Sequence, residues 1–147
     1  MASFVYNKAK EALLNGTLSW LSADLKVMLV TSGYSEDKDH SFVSEANSWE
    51  LSGGGYGGGF NGAGRITIPT RTVQKDDVND RGEGHGDKVE WTGLTAADVA
   101  AAIIVLENTN DGDSLLVGFI DDGGFPFSLT GGNFDVTPNI QGWLHLT

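Results

Sequence analysis

The 147-residue chain contains no cysteine. That absence removes disulfides, thiolate nucleophiles and cysteine metal sites together, and it makes the fold indifferent to the redox state of its surroundings. Basic residues are scarce. Nine Lys and Arg stand against twenty Asp and Glu, giving a formal net charge of −11. Nucleic acid is a dense polyanion, so direct binding to it is disfavoured, as is binding to an anionic membrane surface. The plain reading of the charge is solubility and restrained self-association. Long apolar runs are missing as well. The longest, residues 99–106, has the length of a strand, against about 20 residues for a membrane span. The opening segment from Met1 to Lys8 shows no basic leader followed by an apolar stretch, so the chain is expected to be made and assembled in the cytoplasm.

What is present is a β pattern punctuated by glycine. One domain, residues 1–147, is expected from the length. A short helix is expected first, with Asn7 as its cap, Ala9, Ala12 and Leu13 on its apolar side and Gly16 at its end. Residues 17–20 read as a short strand. Residues 25–31 are apolar on both faces apart from Lys26, which marks a central strand. Residues 44–51 around Trp49 are a weaker strand candidate. Residues 53–64 form a glycine-rich loop, expected to be mobile unless a neighbour fixes it, with Tyr56 and Phe60 as two anchors. A strand is expected over 65–73, with Pro69 pointing to an edge or bulge, and a polar loop is expected after Val73 through Gly86. Val89 and Trp91 share one face of the next strand. Residues 99–107 and 114–121 flank Asp111-Gly112, the strongest hairpin signal in the chain. Residues 125–129 and 134–136 read as a second hairpin. In the last strand, 140–147, Ile140, Gly142, Leu144 and Leu146 are expected to face inward, leaving Trp143 and His145 outward. About eight strands spaced by turns imply an all-β antiparallel sandwich of jelly-roll type with a short N-terminal helix.

No motif for catalysis emerges. The glycine loop contains G-x-G-x-x-G twice, at 53–58 and 57–62, but it runs into a strand. A phosphate cradle needs the loop to open a helix. Aspartates cluster at Asp76, Asp77 and Asp80, at Asp111 and Asp113, and at Asp121 and Asp122, none with the spacing of a twelve-residue calcium loop. His40, His85 and His145 are widely separated, with no paired spacing for zinc. No G-x-S-x-G elbow occurs. The expectation is a non-enzyme with no cofactor and no metal. Contact residues are then sought among exposed aromatics: Tyr56 and Phe60 in the glycine loop, and Trp143 with His145 on the last strand.

Several segments, in order, resemble a family of small structural proteins of tailed phages. They are Leu25 through Tyr34 followed by His40, Glu50-Leu51-Ser52-Gly53-Gly54-Gly55-Tyr56, Val89-Glu90-Trp91-Thr92, Ala100 through Val105, Ser114 through Asp121, and Gly142-Trp143-Leu144-His145-Leu146. The chain departs from that family before the last strand, where Val136-Thr137-Pro138-Asn139 lacks an aromatic, and in the length of its glycine loop. The resemblance implies a jelly-roll capsid cement, or decoration, protein. Such a protein binds the outer surface of the expanded head over the major capsid protein, as a homodimer or homotrimer, with no nucleic acid or membrane partner. The other readings are a tail, neck or receptor-binding component of the virion, and a carbohydrate-binding module.

Overall fold

The structure is a computed structural model that describes residues 2–96 and 98–147. In chain order its elements are β1 (Phe4–Val5), α1 (Asn7–Leu14), β2 (Leu25–Val30), β3 (Ile66–Thr67), β4 (Thr72–Asp76), β5 (Arg81–His85), β6 (Val89–Trp91), β7 (Ala101–Leu106), β8 (Leu115–Ile120), β9 (Phe134–Val136) and β10 (Leu144–Leu146). All the strand pairings are antiparallel. The molecule is an all-β sandwich with a short N-terminal helix, as the strand and turn pattern implies. Its strands form a five-stranded sheet in the order β1-β8-β7-β2-β3, a three-stranded sheet β10-β5-β4 and a pair β6-β9.

The five-stranded sheet forms because its middle strands are apolar on both faces. Every residue of β2 except Lys26 is buried, and β7 is buried from Ala101 to Val105. Such strands are stable only with cover on both sides. Their register is continuous from Leu25↔Leu106 to Val30↔Ala101. The β7–β8 hairpin forms as expected, with a bulge between Ile104 and Val105. Its loop is closed by Asp113, whose carboxylate accepts the N–H groups of Thr109 (3.0 Å) and Asn110 (2.9 Å). Asp111 of the Asp-Gly pair turns away to Arg65 instead.

Several local expectations are overturned. Tyr6, in extended geometry, is the helix cap; Asn7 is the first helical residue and donates to Asp39 at 2.7 Å. Residues 17–20 are irregular, and residues 43–49 form two single 3-10 turns, Val43–Glu45 and Asn47–Trp49, rather than a strand. The strand expected over 65–73 is split into β3 and the start of β4, and the polar loop expected after Val73 is largely the β4–β5 hairpin. Residues 125–129 contribute only an isolated bridge, Val99↔Phe127, and β9 pairs with β6 rather than in a second hairpin. The last strand is shorter than expected and its phase changes. Gly142 has φ +76 and donates its N–H to Asn139 across a tight turn. The turn breaks the alternation, so Trp143 and Leu144 are both buried while Ile140 is 91% exposed.

The glycine-rich loop is fixed rather than mobile. Tyr56 is buried, and its hydroxyl accepts the Leu29 N–H (3.1 Å) and donates to Glu50 (3.1 Å). Gly64 lies flat on the Tyr56 ring; a Cβ there would come within 2.8 Å of ring carbons. Glycine at this position lets the ring be clamped between backbone and sheet.

Candidate functional site

Three groupings of side chains stand out, and two of them are internally satisfied. The first surrounds Arg65, whose side chain is fully buried. Its Nε and Nη2 donate to Glu50 (2.9 and 2.7 Å), its Nη1 to Glu107 (2.9 Å) and Asp111 (2.7 Å), and its Nη2 also to Asp111 (3.1 Å). A guanidinium has five N–H donors, and these bonds use them all. Lys26 donates to the other oxygen of Glu107 at 2.6 Å. Burial alone would push the Glu107 and Asp111 carboxyls up. Bonds from Lys26, Asn61 and Arg65 hold Glu107 below the usual carboxylate range, and bonds from Arg65 and Asn47 do the same for Asp111. The guanidinium has no donor left to hold a ligand, and the cluster pins the loops at 50–65 and 107–111 to the sheet.

The second grouping lies on one face of the three-stranded sheet. One Glu83 oxygen accepts from Arg81 (2.8 Å), and the other accepts from Gln74 (2.9 Å) and meets His85 (2.8 Å). The Gln74 bond first, then His85 and Arg81, hold the Glu83 carboxyl below its usual range. Arg81 also pairs with Asp76 at 3.0 Å. Such a saturated carboxylate is a poor proton donor or acceptor. Among the described residues no group of three or more His, Asp or Glu side chains comes together to hold a metal ion.

The third grouping is an open apolar groove on the opposite face of the same sheet. Side chains alternate across a strand, so Val73, Gly82, Gly84, Leu144 and Leu146 share that face. Two glycines in β5 leave the centre of the sheet without side chains. At Gly84 the Trp20 ring fills the gap; a Cβ there would lie 2.7 Å from it. At Gly82 a Cβ would meet nothing within 4 Å, so the slot is empty. Leu13, Leu18 and Trp20 form the far wall of a cavity of about 300 Å³. Val73 is 56% and Leu146 41% exposed at its rim. The groove thus joins an unfilled slot to apolar side chains that are partly in water at its rim.

The residues singled out from the sequence fall elsewhere. Tyr56 and Trp143 are buried, so the outward orientation expected for Trp143 is wrong and neither ring is available at the surface. Trp143 donates its indole N–H to the Asp87 carbonyl at 3.1 Å. Phe60 is half-buried at the tip of the glycine loop. His145 is also half-buried, and burial first, then the N-terminus and Arg81, push its imidazole below its ordinary pKa. The structure brings none of these four together. The groove residues escaped notice because Gly82 and Gly84 hide a strand inside a polar stretch. The β-branched pair Thr72-Val73 followed by the turn-forming Asp77 to Asp80 was the available signal.

Compared with protein-family models, with curated proteins and with solved structures, the chain matches none.

Proposed function

We propose that this protein is a capsid cement protein of a tailed phage, of the jelly-roll type, and that the groove beside Gly82 is its contact with the major capsid protein. The ordered resemblance of segments from Leu25 to Leu146 supports the class. The observation that carries the contact is the empty, solvent-open slot walled by Leu13, Leu18, Trp20 and Leu146. The charged clusters elsewhere are consumed in holding the fold, which suits docking better than catalysis. A protein of this kind works by linkage. Binding only the expanded shell stabilises it by about 2.7 kcal/mol per site at a hundredfold excess over Kd. Repeated over a symmetric shell, such increments resist internal pressure. The acidic outer surface keeps assembled heads apart.

The test is to titrate the protein onto expanded heads of the encoding phage prepared without it, counting bound copies per major capsid subunit. Saturation at a fixed stoichiometry, with a raised shell melting temperature, is expected. Gly82→Val puts a side chain into the slot, where a Cβ meets nothing within 4 Å, and should weaken binding at least about tenfold, since an anchor lost from a packed pocket costs about 2 kcal/mol or more. No binding sinks the proposal. A few copies at one vertex would move the protein to the neck or tail.

A further inference from the structure

The three-stranded sheet ends on β4, and β4 is an open edge. It pairs only with β5, and four of its five residues are exposed. The other sheet ends are blunted: β1 and β3 are two residues long, β6, β9 and β10 three. β4 contains no proline and no bulge. An edge of this kind is a template for another strand.

Its sequence says which strand fits. We propose that β4 pairs antiparallel with β4 of a second copy about a two-fold axis through Gln74, joining two three-stranded sheets into one of six strands. Three registers place a residue of this strand's centre on the axis. Centring on Lys75 sets two ammonium groups face to face, and centring on Val73 sets Lys75 against Arg71. Like charges directly opposed are destabilising. Centring on Gln74 sets Val73 opposite the second copy's Lys75, Thr72 opposite Asp76, and, one step beyond each strand end, Arg71 opposite Asp77. By symmetry each of these pairs occurs twice.

The charges are ready for this arrangement. Arg65 and Arg81 are consumed inside the fold, whereas the half-buried Arg71 makes no ion pair among the described residues; its Nη1 is tucked in without an acceptor, so the side chain gains a partner by turning outward to the second copy's Asp77. Asp77 is 73% exposed and holds only the equally exposed Lys75 of its own chain, at 2.5 Å. Asp76 is already neutralised by Arg81. A chain of net charge −11 can meet itself only where acid does not face acid. β4 provides that, with Val73 packing on the stem of the opposed Lys75. The contact shares Val73 with the rim of the Gly82 groove, but self-association of the purified chain is read separately from binding to heads.

The experiment is sedimentation velocity on the purified full chain, carried to about 100 μM because specific interfaces of ordinary size bind in the micromolar range or tighter. A monomer–dimer equilibrium is expected. Arg71→Asp and Asp77→Arg should each weaken it at least about tenfold, because like charges then face each other across the axis. The double variant Arg71→Asp/Asp77→Arg should restore it. A monomer throughout the range, a trimer, or a double variant no tighter than the singles would overturn the proposal.

Discussion

Arg65 concentrates the stability of the irregular half of the molecule into one residue. It ties Glu50 to Glu107 and Asp111, which lie far from it in sequence, at a single buried point. Replacing it by methionine keeps the volume but removes the cation that three carboxylates share, leaving only Glu107 with another, Lys26. Removing one partner of a buried ion cluster costs about 3–5 kcal/mol. Arg65→Met should therefore lower the midpoint of a urea melt by that equivalent, and Arg65→Lys should recover only part, having a point charge where a five-donor fork is needed. The same cluster sets an acid limit. The folded-state pKa values of Glu107 and Asp111 lie below their unfolded values. Their contribution is fully present above the ordinary carboxylate range and is lost as pH falls through the depressed folded values. Melting temperature should drop steeply below about pH 4, the unfolded carboxylate range, and the drop should be shallower in Arg65→Met. An equal slope in the two proteins would show that other carboxylates govern acid unfolding. None of this was legible residue by residue. Asp111 reads as a turn aspartate and Arg65 as the start of a strand; only the fold brings them within 2.7 Å.

At the level of elements, what could be read were the strands that bury themselves. β2, β7 and β8 are runs of aliphatic residues bounded by turn residues, and burial on both faces needs no knowledge of the neighbours. The β4–β5 hairpin was illegible for the opposite reason. β5 is Arg-Gly-Glu-Gly-His, and its apolar face is supplied from elsewhere, by Trp20 seated over Gly84. Likewise Trp143 was misplaced because a single left-handed glycine, Gly142, resets the alternation that orientation depends on. The two glycines of β5 make opposite predictions. Gly82 has open space above it and its φ lies outside the left-handed region, so Gly82→Ala should stabilise by about 0.4–1 kcal/mol through the unfolded chain. Gly84→Ala drives a methyl into the Trp20 ring and should destabilise by about 1–3 kcal/mol. Chemical denaturation of the two variants checks both signs. Equal effects would mean that Trp20 does not occupy the position that closes one end of the groove.

For the molecule as a whole the dominant quantity is its charge, −11 over 147 residues. The strongest ion pairs, around Arg65, are buried and largely beyond the reach of salt. The exposed pairs, Lys8–Glu11, Lys75–Asp77 and Lys88–Glu90, are each worth about 0–1 kcal/mol and are easily screened. Against them stand Glu36, Asp37, Asp80 and Asp87, all exposed, with no cation at ion-pair distance among the described residues. Screening weakens both sets, but the repulsive one is larger, and the compact state concentrates it. Raising sodium chloride from about 0.01 to 0.15 M shortens the Debye length from about 30 to 8 Å. Melting temperature should therefore rise. For a chain of this size about 1 kcal/mol of relieved repulsion corresponds to about 2–4 °C. The melts should be run at dilute protein, so that pairing through β4 does not add its own concentration-dependent gain. A melting temperature that fell with salt would mean that the surface pairs outweigh the acid excess. The neutral edge at β4 would then lose its claim to be the one place where two copies can approach, because the rest of the surface would not be repelling them.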